Sequence, residues 1–127
     1  MREEILWWLK QAEADFRSAK NSFASKDYHT SVFSIHQAVE KSLKAAYIQK
    51  ENTTTLKTHN LIELGKHLKV PPLMLNFLAK ISPEYALSRY PDASYGIPAE
   101  RYTPQMVEEY MKEAEKVLTW AKSQIKG

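Results

Sequence analysis

The stretch Ser34-Ile35-His36-Gln37-Ala38-Val39-Glu40-Lys41-Ser42-Leu43-Lys44-Ala45 decides the fold, because its apolar residues recur at helical steps and it holds neither glycine nor proline. At about 100° per residue, Tyr28, Val32, Ile35, Val39, Leu43 and Ala46 share one side of the helix. On the other side fall His36, Gln37, Glu40, Lys41 and Lys44, with Phe33 and Ile48 in the same arc. The first side is a core stripe. The polar arc is open to three readings, namely water, a second subunit or a ligand, and Phe33 and Ile48 favour the last two.

Working outward from this helix, Asp27 is a plausible N-cap and the helix runs to about Glu51. Upstream, Ile5, Trp8, Leu9, Ala12, Phe16, Ala19 and Phe23 repeat at helical steps from Arg2 to Ser25 with no breaker between them. So short a link makes the two long helices antiparallel neighbours. Downstream, Asn52-Thr53-Thr54-Thr55 opens a loop to Thr58, and Asn60 with Glu63 resembles a capping box ahead of Leu61, Leu64 and Leu68. Pro71-Pro72 ends that short helix, and Met74, Phe77, Leu78 and Ile81 carry the next. Pro83 to Ser88 reads as a helical piece. From Arg89 to Thr103, Pro91, Gly96 and Pro98 with no apolar period imply a long loop, pinned by Tyr90, Tyr95, Ile97 and Tyr102. Thr103-Pro104 then starts a last helix whose apolar residues run from Met106 to Ile125.

These elements predict an all-α fold: an antiparallel up-and-down four-helix bundle with additional short helices and one long loop, as a single domain over 1–127. The chain's 127 residues leave no room for a second core of ordinary size. With 43% hydrophobic and 26% charged residues, the composition is that of a globular protein. No apolar run approaches the roughly 20 residues that cross a bilayer. The N-terminal stretch also lacks a signal-peptide pattern, so the expectation is a cytoplasmic protein with no membrane partner.

Zero cysteines exclude disulfides, thiolate metal sites and cysteine nucleophiles within this sequence. A net charge of +3, from 18 basic and 15 acidic residues, is too balanced for nucleic-acid binding by bulk charge alone. Any such role rests on a local site. The four histidines form no helical pair flanking a carboxylate, and His36 with Glu40 alone is weak, so no metal and no cofactor is expected. Three glycines rule out the glycine-rich phosphate loops.

Two constellations remain. One is the polar arc, where Glu40 and Lys44 are oriented for an i, i+4 ion pair. The other is the segment Ser88-Arg89-Tyr90-Pro91-Asp92 through Arg101-Tyr102-Thr103. There Arg can fork onto phosphate, Tyr can stack on a base, and a carboxylate can orient either. The competing reading has the tyrosines plug the bundle end and Arg89 pair with Asp92 or Glu84.

Gln11-Ala12-Glu13-Ala14-Asp15-Phe16, Gln37 through Ala45, Thr58-His59-Asn60-Leu61, Ala86-Leu87-Ser88-Arg89-Tyr90-Pro91-Asp92 and a late Trp120 together resemble the HEPN family over nearly the whole chain. The resemblance implies a dimerising helical bundle that binds nucleotide or RNA, often encoded beside a minimal nucleotidyltransferase in a toxin–antitoxin-like pair. Many HEPN proteins are metal-independent ribonucleases with an Arg followed four to six residues later by His at the dimer cleft. Here, with four to six residues between, the positions after Arg89 hold Ser94, Tyr95 and Gly96, preceded by Ala93, and no His follows His67. A ribonuclease needs a proton carrier near neutral pH, so that activity is not carried over.

The reading is therefore a nucleotide- or RNA-binding homodimer, without ribonuclease activity, partnered by a nucleotidyltransferase. Arg89, Tyr90, Asp92, Lys41 and Lys44 are its expected ligand contacts, and Phe33, His36, Gln37, Glu40 and Ile48 its expected dimer seam. The alternatives are a ribonuclease with His36 or His59 as substitute proton carrier, and a pure protein-interaction scaffold.

Overall fold

The computed structural model describes residues 2–52, 58 and 60–125, and those residues form helices and turns with no strand. The long helices are α1 (Glu3–Ala24), α2 (Tyr28–Glu51) and α7 (Pro104–Gln124). Between α2 and α7 lie α3 (Leu61–Leu68), α4 (Pro72–Ile81), α5 (Glu84–Leu87), α6 (Pro91–Ser94) and a 3-10 turn, Pro98–Glu100. The expected loop after α2 falls largely on residues 53–57, and both it and His59 lie outside the described residues.

Antiparallel pairing of α1 and α2 is visible in their rungs. Ser31 Oγ donates to the Ala19 carbonyl at 2.8 Å, Lys41 pairs with Asp15 at 2.6 Å, and Ile5 packs on Ala45 and Ile48. Direction then alternates along the chain: Phe77 and Lys80 of α4 lie at Tyr110 while Met74 lies beside Lys116, so α4 and α7 run opposite ways. The up-and-down order therefore holds with α3 as an extra turn of structure. A consequence is that α2 and α7 run parallel and in direct contact, Trp120 and Gln124 lying beside Ala46 and Gln49. The core between them holds Val32, Ile35, Val39, Leu43, Val107, Ala114, Val117 and Ala121.

Local chemistry explains the ends of the helices. Thr103 Oγ1 accepts from the Met106 N–H at 3.2 Å, as the Thr-Pro start requires. Asn60 accepts from Ile62 and Glu63, but Glu63 meets the Thr58 hydroxyl at 3.4 Å instead of closing a reciprocal box. Asp27 occupies the N-cap of α2 without a side-chain cap bond; its carbonyl accepts from Ser31. Gly65 lets α3 approach α4, since a Cβ there would stand 2.6 Å from Leu78 Cδ1 and 3.0 Å from Leu75 Cδ1.

Two sequence expectations need correction. The segment 89–103 is not one irregular loop, because Pro91 and Pro98 each sit at the start of a short helical turn, α6 and the 3-10 turn. The polar arc of α2 is also not one face. His36, Glu40, Lys44 and Ile48 are buried within the single chain, because α2 is the central helix and is covered on nearly every side.

Candidate functional site

The polar arc divides into a buried row and an open end. In the row, Glu40 Oε2 accepts from Lys44 Nζ at 2.8 Å, and Glu40 Oε1 lies 3.9 Å from His36 Nδ1. Trp8 of α1 covers the far end, its ring centroid 5.4 Å from the Lys44 ammonium. His36 has 0% of its surface exposed and packs against Tyr85 with the rings tilted by 57° and 5.5 Å between centroids. Tyr85 belongs to α5 and also packs on Phe33 of α2.

That second contact leads to the open end. Ser88 Oγ donates to the Glu84 carbonyl at 2.6 Å, and the N–H groups of Arg89 and Tyr90 both return to the Ala86 carbonyl. These bonds coil the chain after α5 so that the Arg89 side chain falls across Phe33. The guanidinium carbon sits 4.5 Å from the Phe33 ring, 4.8 Å from Tyr90 and 5.2 Å from Tyr85, and one N–H donates to the Tyr90 hydroxyl. An exposed arginine in an aromatic cage keeps its charge and loses rotamer freedom. Among the described residues no carboxylate pairs with it: Glu84 lies 3.7 Å from Arg101, and Asp92 Oδ1 accepts from the Ala93 N–H.

The structure thus brings Phe33, Arg89 and Tyr90 together, with half-buried Gln37 on the neighbouring turn of α2. It does not bring the two lysines to them. Lys41 is held by Asp15 at 2.6 Å, and Lys44 lies about 16 Å along α2 from Phe33, paired with Glu40. Ile48 belongs to a small cluster with Ile5 and Ala45. Sequence reasoning missed Tyr85, although its i, i+4 spacing to Arg89 was a usable signal. It named Glu84 only as a possible partner of Arg89.

Glu84 is 2% exposed and sits where α5 meets the start of α7. Burial, and next the Glu84 carboxylate beside it, push the Tyr102 phenol far above its ordinary range, and burial also raises Tyr110. Elsewhere, Ala46, Gln49, Lys50, Leu68, Trp120 and Gln124 line a surface hollow of about 380 Å³ at the other end of α2 from Arg89. No group of three ligating side chains that can hold a metal occurs among the described residues. No described helix is long and apolar enough to cross a membrane.

Comparison with known proteins agrees with this architecture. The HEPN domain model matches residues 5–124. The chain is 29% identical to the candidate toxin MJ1304 of Methanocaldococcus jannaschii, over 94% of this chain and 86% of that protein. The crystal structure of TT1696 from Thermus thermophilus superposes with a TM-score of 0.89 at 27% identity, covering 98% of this chain and all of the other. That of ST0689, described as an archaeal HEPN homologue, gives 0.82 at 31% identity, over 99% of this chain and all of the other.

Proposed function

The chain belongs to the HEPN family, and from that premise we propose that it is a nucleotide- or RNA-binding protein whose anion contact is Arg89. The observation that carries this reading is the guanidinium itself: exposed, fixed by three aromatic rings, and without a carboxylate partner among the described residues. Three rings lie 4.5–5.2 Å from its central carbon and one N–H goes to the Tyr90 hydroxyl, so the remaining N–H groups are the outlet. Those groups suit a phosphate, which accepts two parallel N–H bonds from them. Tyr90, 44% exposed, offers a neighbouring ring surface to a base. A pure scaffold would instead have Arg89 paired to Asp92 or Glu84.

On this reading the protein acts in the cytoplasm as a homodimer, with Phe33 and Gln37 at the seam beside the Arg89 cage. Similarity to a candidate toxin supports a toxin–antitoxin-like setting in which a minimal nucleotidyltransferase is the partner. Ribonuclease chemistry is not part of the proposal. The exposed cage carries no histidine among the described residues, and His36 lies buried behind Tyr85.

The test is isothermal titration with nucleotides and a short single-stranded RNA. Loss of one charge-assisted contact is worth about 1.5–3 kcal/mol, so Arg89→Ala is expected to weaken binding by roughly tenfold to a hundredfold. Absence of heat with every ligand, or equal affinity in the variant, would refute the assignment. Cleavage of labelled RNA in the presence of EDTA, lost in His36→Ala, would replace it with the enzymatic reading.

A further inference from the structure

Arg89 owes its position to α5, and α5 has only the four residues Glu84–Leu87. One helical turn fixes several dihedral angles for very few hydrogen bonds, so it does not hold its own orientation. Its neighbours must supply that. Glu84 and Tyr85 are adjacent in sequence and so leave the helix about 100° apart. Tyr85 turns toward α2, with its ring 6.1 Å from Phe33 and 5.5 Å from His36. Glu84 turns the other way, into the junction of Arg101, Tyr102 and the first turns of α7, where it is 2% exposed.

A carboxylate in that place is a poor choice for stability. Its Oε1 is 3.7 Å from Arg101 Nη2, a long contact to a part-exposed side chain, and neither its Oε2 nor the neighbouring Tyr102 hydroxyl makes a standard hydrogen bond among the described residues. Apolar residues of similar volume commonly match or exceed a buried charge in stability. What the carboxylate does supply is direction, because a charge facing Arg101 and the Tyr102 hydroxyl has one favourable orientation and a methyl-bearing side chain has several.

We propose that Glu84 is a positioning residue for the Arg89 anion site: facing Arg101 from its buried place beside Tyr102, it sets the rotation of α5, which turns Tyr85 onto α2 and delivers Arg89 into its cage. The role assigned to the site rests on the nucleotide- or RNA-binding reading above; the positioning itself is a statement about geometry.

The two are separated by following the Arg89 Nε–Hε resonance, which the surrounding rings displace from that of a solvent arginine, alongside RNA binding. In Glu84→Met, circular dichroism and the thermal midpoint are expected to stay at or above wild type. The Arg89 resonance moves toward the solvent position, and the dissociation constant for a short single-stranded RNA rises about tenfold. In an Arg89→Ala background the same substitution adds nothing. Glu84→Gln, which keeps the shape and removes the charge, gives the same movement and serves if the methionine variant does not fold. An unmoved Arg89 resonance in either folded variant overturns the proposal. If wild type binds no RNA, the functional reading falls while the resonance still decides the positioning.

Discussion

Substituting Glu40 by Ala tests whether the row beneath the site is as buried as it looks. The Glu40 and Lys44 side chains are 3% and 7% exposed and meet at 2.8 Å. Were they on the surface, an i, i+4 pair of this kind would contribute only about 0.2–0.5 kcal/mol. Buried, the loss of one partner strands the other charge and costs about 3–5 kcal/mol. The Trp8 ring, 5.4 Å from the ammonium, is present in wild type and variant alike and still faces the stranded charge, which places the loss at the lower end of that range. A net loss of about 3 kcal/mol is expected, which is about 12 °C in Tm for a domain of this size. Urea titrations followed by circular dichroism give the value directly. The double variant Glu40→Met with Lys44→Met removes both charges and is expected within about 1 kcal/mol of wild type, a strongly non-additive cycle. A Glu40→Ala loss below about 1 kcal/mol would refute the reasoning, since it would mean that the Lys44 ammonium reaches water.

Gly65→Ala is expected to cost about 1–3 kcal/mol by urea titration, because the new methyl meets Leu78 Cδ1 at 2.6 Å between two packed helices. Lys26, which turns α1 into α2 at φ 64, is a left-handed position without a glycine; Lys26→Gly is expected to raise the urea midpoint by up to about 1 kcal/mol in stability. The Tyr102 phenol, raised above its ordinary 10.0 first by burial and then by Glu84, binds its proton more tightly folded than unfolded. Its contribution is therefore complete below about pH 10 and is lost as pH climbs above that. Tyr102→Phe is expected to flatten the alkaline fall in urea midpoint above about pH 10, while an unchanged slope there would contradict it.

The long helices were legible because each carries an apolar stripe at helical spacing, and the Val32–Ile35–Val39–Leu43 spacing gives its period directly. The site was legible only in part. Arg89 and Tyr90 stand out as a cation and an aromatic in a proline-punctuated segment, yet nothing in their spacing tells that Phe33, some fifty residues earlier, completes the cage. The lysines of α2 misled for the opposite reason. A helical projection assigns each residue a side but not how many neighbours the helix has. With α1, α3, α5 and α7 all packed on α2, Lys44 met Trp8 and Glu40 rather than solvent. Lys41 met Asp15, a residue that only tertiary pairing places opposite it.

The distribution of ion pairs around the site bears on why Arg89 stays available there. Lys41, Lys44 and Arg101 each face a carboxylate, namely Asp15, Glu40 and Glu84. Two carboxylates near Arg89 in sequence would quench it if they could reach, and local backbone structure prevents both. Pro91 starts α6 with a fixed φ, which sends Asp92 forward to its own Ala93 N–H instead of back to the guanidinium. Glu84 is carried away by the turn of α5 that brings Tyr85 inward. The short helices are therefore the means by which an arginine is kept uncompensated in a chain holding 15 acidic residues. Aromatic rings hold such a charge without neutralising it, because their attraction comes from the ring quadrupole and leaves the N–H groups not given to the Tyr90 hydroxyl to meet an anion.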